Sequence, residues 1–155
     1  MNLLFVCLGN ICRSPLAESL IKFNLEKKGE LALFKIDSCG TSNWHQGEKA
    51  DHRTLKNATE NGVYITHLAK QITQNDVNQF DYLFVMDNEN YKNVLQMFPE
   101  SEKKLFLLTH FSKIKHNQII PDPYFGTEND FQDVFNLLNI VTNELADFLI
   151  EKHCN

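Results

Sequence analysis

Leu3-Leu4-Phe5-Val6-Cys7-Leu8-Gly9-Asn10-Ile11-Cys12-Arg13-Ser14-Pro15 decides how this chain folds. The apolar run Leu3 to Val6 reads as a strand buried in a parallel sheet. Ser14 and Pro15 read as the cap and first turn of a helix. A cysteine, a glycine-bearing turn and an arginine lie between strand end and helix start. Such a junction collects anions, because loop N–H groups converge there and the helix dipole favours negative charge. The same field favours a thiolate at Cys7. Arg13 adds a planar fork of donors that matches phosphate oxygens, and the N–H groups from Leu8 through Gly9, Asn10, Ile11 and Cys12 to Arg13 complete the cradle. Ser14 is placed to donate a hydrogen bond to Cys7 as well as to cap the helix. A nucleophile inside an oxyanion cradle points to phosphoryl transfer through a covalent cysteine intermediate. A strand-terminal cysteine alone is often just a small buried hydrophobe. The strand before it, Gly9-Asn10 and Ser14-Pro15 make the signal specific.

Outward from this stretch, Leu16, Ala17, Leu20 and Phe23 recur at helical spacing and Lys27-Lys28-Gly29 stops the helix. Phe34 to Cys39 reads as a second strand ending at Gly40, followed by a polar loop that carries Trp44. Asp51 to Asn61 reads as a helix ended by Gly62. Phe80 to Asp87 reads as a third strand, and Asp87 as the cap of a helix running to Met97. Asp87 also stands at the carboxyl end of a strand, where open α/β sheets place their sites, so a site role comes second. Lys104 to Phe111 supplies a fourth strand. Pro121-Asp122-Pro123 is a rigid turn holding an acid between prolines. Phe131, Val134, Phe135, Leu138, Val141, Leu145 and Leu149 mark a long amphipathic helix. Strands alternating with helices predict an α/β fold: a four-stranded parallel sheet with helices on both faces, in one domain over residues 1–155.

Composition narrows the function. The chain has 155 residues, 43% of them hydrophobic, and a formal net charge of -5, which suits one packed core. It has no basic run that would track a nucleic acid and no apolar run of membrane-spanning length. Met1 leads straight into the first strand without a basic region, so no signal peptide is expected. Cys7, Cys12, Cys39 and Cys154 lack the paired spacing of a metal site, and a reactive thiolate implies a reducing, cytoplasmic compartment.

Val6 to Glu18 resembles the signature of the low-molecular-weight protein tyrosine phosphatases, and the resemblance extends over nearly the whole chain. It implies strand order two-one-three-four. It implies Cys7 as nucleophile, Arg13 as phosphate ligand, and Asp122, in Asp122-Pro123-Tyr124, as general acid and then base. Gly40-Thr41-Ser42-Asn43-Trp44-His45-Gln46-Gly47 matches the family's loop, whose tryptophan borders the cleft. Trp44, Tyr124 and Phe125 are then aromatic walls for a phenyl ring. Asn10 is expected in a left-handed turn, and the resemblance supports it with Ser38 and His67. Lys49 and His52 stand where family members often have prolines. Lys70 stands where arginine is usual, and as a point charge it reads as a solvated cation. No cofactor or metal is expected, since the thiolate and Arg13 do that work. The expected partner is a phosphotyrosine protein or an aryl phosphate, and the chain is expected as a monomer with a weak dimer left open.

Other readings stay on the table. An arsenate reductase needs two further cysteines close together, whereas Cys39 and Cys154 are far apart in sequence. An arginine phosphatase has threonine where Ile11 stands. A phosphoprotein-binding module without turnover would dispense with Asp122. A reversible Cys7–Cys12 disulfide that shields the nucleophile is a further expectation.

Overall fold

A computed structural model of the chain describes residues 1–153; Cys154 lies outside the described residues. The central strand is β1 (Asn2–Cys7), flanked by β2 (Lys35–Gly40) and β3 (Tyr82–Val85), with β4 (Leu105–Leu107) outermost. All pairs are parallel and the order is β2-β1-β3-β4, as the resemblance implied.

Alternation along β1 divides the core. Leu3, Phe5 and Cys7 face one cluster with Leu16, Leu20, Leu138, Val141, Leu145 and Leu149. Leu4 and Val6 face another with Cys39, Val77, Val85 and Val94. The first cluster is roofed by α1 (Arg13–Lys27) and α5 (Glu128–His153), the second by α3 (Gln74–Gln79) and α4 (Asn88–Met97). Helices thus cover both faces, which is why β1 reads as an unbroken apolar run with Leu3 to Val6 wholly inaccessible. The fifth helix, α2 (His52–Glu60), packs on α5.

Three local expectations are corrected. Ser14 does not cap α1: it lies inside the helix with its hydroxyl on Cys7 and Asn10, and Cys12, the N-cap residue, supplies no side-chain bond. The fourth strand is shorter than Lys104 to Phe111; after Leu107 the chain enters a 3₁₀ turn, Leu108–Phe111, that buries Leu108 and Thr109. As an edge strand, β4 pairs only with β3, so nothing beyond holds it extended. The polar helix α3 lacks an apolar stripe and was not foreseen. It stands on a capping box, with Thr73 Oγ1 accepting from the Asp76 N–H and Asp76 Oδ2 accepting from the Thr73 N–H.

Candidate active site

The loop between β1 and α1 is tied down by its backbone. Thr41 N–H donates to the Cys7 carbonyl at 2.9 Å, Ser42 N–H to Leu8 at 3.0 Å, and Asp51 N–H to Ile11 at 2.8 Å. Gly40 ends β2 so close beneath it that a Cβ would lie 2.6 Å from the Leu8 carbonyl oxygen. Asn10 turns the loop with φ 58°, the left-handed conformation expected of it.

The Asn10 side chain is the hub behind the loop. Its Oδ1 accepts from the Lys70 N–H at 3.0 Å, which fixes the amide's orientation, so His67 Nε2 at 2.7 Å is a donor. Its Nδ2 donates to Ser14 Oγ at 2.8 Å and Ser38 Oγ at 3.1 Å. Ser38 in turn donates to Glu18 Oε2 at 2.6 Å. His67 Nδ1 lies 3.2 Å from Glu18 and 3.5 Å from Asp37. Burial disfavours charge on this ring while Glu18 and Asp37 favour it. Lys70 is not simply solvated; its ammonium pairs with Asp37. Glu18, Asp37 and His67 present metal-type ligand atoms within 4.8 Å of one another. Each already has a protein partner, however, in Ser38, Lys70 and Asn10 respectively. Ser38 and His67 therefore act from behind the loop, outside the cavity.

Cys7 Sγ receives the Asn10 N–H at 3.3 Å and lies 3.0 Å from Ser14 Oγ. Since Ser14 Oγ accepts from Asn10, its proton is free for Cys7 or for the Cys39 carbonyl at 3.3 Å, and the sulfur is nearer. Two polar groups therefore converge on the Cys7 sulfur just ahead of the start of α1. Burial pushes the Cys12 thiol up to about 12, and burial likewise raises Cys39 well above its usual value. All three are free.

Arg13 is buried, and its Nη1 donates to Asp87 Oδ2 at 2.7 Å and to the Ile120 carbonyl at 2.8 Å. Burial opposes its charge, but the neighbouring Cys7 and Asp87 keep the guanidinium cationic. Asp87 is the cap read from its position and also pairs with Arg13. Its Oδ1 caps α4 through the Asn90 N–H, and its Oδ2 grips Arg13. With Nη1 held, Arg13 Nη2 comes within 3.7 Å of Asp122 Oδ2.

A cavity of about 210 Å³ joins these groups. Cys7, Leu8, Gly9, Ile11, Cys12 and Arg13 line it together with Trp44, Asp122, Tyr124 and Phe125. Trp44 and Phe125 are 71% and 97% exposed, and Tyr124 meets the Phe125 ring edge-on at 4.9 Å. Asp122 Oδ1 accepts from the Tyr124 N–H at 3.1 Å, so its other oxygen is the one near Arg13. Sequence reasoning passed over His45, which lines the cavity and packs against Gly9, and over Glu18 and Asp37 behind the loop. Glu18 carried a usable signal, one helical turn beyond Ser14 on the same face. Asp37 carried none, since its contacts come from segments remote in sequence.

Comparison with known proteins finds relatives over nearly the whole chain. The family model described as low molecular weight phosphotyrosine protein phosphatase matches residues 2–154. A protein of that name from Schizosaccharomyces pombe is 42% identical over 137 residues, covering 87% of this chain and 88% of its own. Its Saccharomyces cerevisiae namesake is 38% identical over 150 residues, covering 93% of this chain and 92% of its own. The crystal structure of a protein tyrosine phosphatase from Entamoeba histolytica superposes with a TM-score of 0.92 at 35% identity, over 100% of this chain and 99% of that one. A match that runs from the first strand into the last helix, in sequence and in backbone alike, means that this chain belongs to the low molecular weight phosphotyrosine protein phosphatase family.

Proposed function

We propose that the chain, as one domain over residues 1–155, is a protein tyrosine phosphatase that hydrolyses aryl phosphate monoesters through a cysteinyl phosphate. The carrying observation is convergence: Cys7, Arg13 and Asp122 share one cavity, with Arg13 Nη2 3.7 Å from Asp122. In the first step Cys7 Sγ attacks phosphorus, the S–P bond forms and the P–O ester bond breaks. Asp122 gives its proton to the departing phenolate oxygen. Arg13 and the loop N–H groups hold the equatorial oxygens as charge shifts between them. In the second step Asp122 takes a proton from water as that water attacks phosphorus. The S–P bond breaks, inorganic phosphate leaves and the thiolate returns. Trp44, Tyr124 and Phe125 offer flat apolar walls to the aryl ring. Ile11 adds apolar lining, which suits an arene better than a phosphoguanidine.

An arsenate reductase would have to pass a disulfide along, and Cys39 is wholly buried in β2. Among the described residues no helix is long and apolar enough to cross a membrane. We assign a phosphotyrosine protein or an aryl phosphate as substrate, a cytoplasmic location, no nucleic acid, and a monomer with a weak dimer left open. The test is phosphate release from an aryl phosphate at mildly acidic pH without added metal. Turnover by wild type and none by Cys7→Ser is expected. Equal rates for the two would remove Cys7 as nucleophile, and binding of phosphotyrosine peptide without release would make this a binding module.

A further inference from the structure

Asp51 and Arg53 lie outside the groups that do the proposed chemistry, yet they join its two halves. The Asp51 N–H donates to the Ile11 carbonyl of the phosphate loop at 2.8 Å. The Asp51 side chain caps α2 by accepting from the Arg53 N–H at 2.9 Å. The same carboxylate receives the Arg53 guanidinium through Nε at 3.0 Å and Nη2 at 2.8 Å, a bidentate pair. The remaining arm, Nη1, donates to the Tyr124 carbonyl at 2.9 Å. The guanidinium also lies over two rings, 5.3 Å from the centre of Tyr124 and 4.6 Å from that of Phe131. Tyr124 then completes the path, because its N–H holds Asp122 Oδ1 at 3.1 Å.

We propose that Arg53 is a positioning residue for the general acid, a latch that fixes the Asp122-Pro123-Tyr124 segment against the phosphate loop. Three features of the geometry support this role. The guanidinium is itself pre-oriented, since Asp51 occupies two of its donors and leaves one pointing at Tyr124. The anchor at the other end is the phosphate loop backbone, so the distance from nucleophile to acid is set by one short path. Asp122 itself is 45% exposed and keeps only two described polar neighbours, the Tyr124 N–H and Arg13. Released from Tyr124, it would have little else to hold it. Pro123 stiffens the segment but does not decide where it sits.

This inference rests on the phosphatase reading, and a comparison of two esters separates the two. Phenyl phosphate has a poor leaving group, about pKa 10, and needs the acid. A phosphate of a dinitrophenol leaves without a proton and does not. The measured quantity is kcat/KM, which reports the step that forms the cysteinyl phosphate. For Arg53→Ala we expect phenyl phosphate to slow by about 10- to 100-fold, the scale of a displaced acid, while the activated ester slows by less than about threefold. Arg53→Lys should fall between wild type and Arg53→Ala on phenyl phosphate, since one ammonium reaches Tyr124 or Asp51 but offers no fork to both. If Arg53→Ala does not fold, Arg53→Lys carries the same comparison. In an Asp122→Asn background, Arg53→Ala should add less than about a further threefold loss, because the group it positions is already gone. Equal losses on both esters, or the full loss repeated in the Asp122→Asn background, would overturn the proposal while wild-type turnover leaves the phosphatase reading intact. A wild type inactive on both esters would remove that reading and this one together.

Discussion

At the scale of single residues the site economises on hydroxyls and amides. The sequence suggests Ser14 as both a helix cap and a donor to Cys7; in the structure its hydroxyl leaves the cap and meets Cys7, Asn10 and the Cys39 carbonyl. Asn10 uses both lone-pair positions of Oδ1 and both protons of Nδ2, which leaves no freedom in its rotamer. Ser14→Ala removes one donor to Cys7 and one acceptor for Asn10. A hydrogen bond to a charged group contributes about 1.5–3 kcal/mol, so turnover of an aryl phosphate should fall by roughly one to two orders of magnitude with the fold retained. Steady-state kinetics alongside far-ultraviolet circular dichroism would check this; unchanged turnover would mean that Ser14 only fills space.

At the scale of elements, helix starts do the placing. Helices α2, α3 and α4 each start on an aspartate or threonine cap; Asp87 reaches beyond its own helix to Arg13, while Asp51 holds Arg53 in the first turn of α2. The Arg53 hydrogen bond is the main reason the Asp51 carboxyl is held below its usual value. A carboxyl depressed in the folded state stabilises it fully above its unfolded value, about 3.9, and that contribution fades as pH falls through the lower folded value. Asp51→Asn keeps a competent cap but loses the charge. Urea unfolding between pH 2.5 and 6, endpoints chosen as about two units around the carboxylate range, should show a shallower acid-side decline for the variant than for wild type. Parallel curves would show that the pair contributes nothing to stability, as some partly exposed pairs do.

At the scale of the molecule, one strand organises two cores, and the aromatic half of the larger one is continuous. Phe84 lies 5.5 Å from Phe5 and 6.3 Å from Phe111, which stacks on Phe148 of α5 at 4.2 Å. Phe84→Ala should cost about 3–5 kcal/mol, a large part of the roughly 5–15 kcal/mol that holds a domain of this kind together. Chemical denaturation would show it as a lower midpoint with little change in slope; a loss under 1 kcal/mol, about a quarter of that expectation, would mean the core closes over the gap. The sequence by itself determined the buried central strand and the loop that follows it, because these come from residues adjacent in the chain: a strand, a turn and a helix start written consecutively from Leu3 to Pro15, whereas the order of the sheet came from resemblance. Resemblance and two prolines pointed to Asp122. Only the tertiary structure decided what meets what. Asp87 turned towards Arg13, Glu18 and Asp37 stood behind Asn10 with His67, and Arg53 reached Tyr124, all through contacts between segments that no periodicity links. Such contacts depend on how strands and helices cross once packed, and side-chain spacing along the chain carries no record of that crossing.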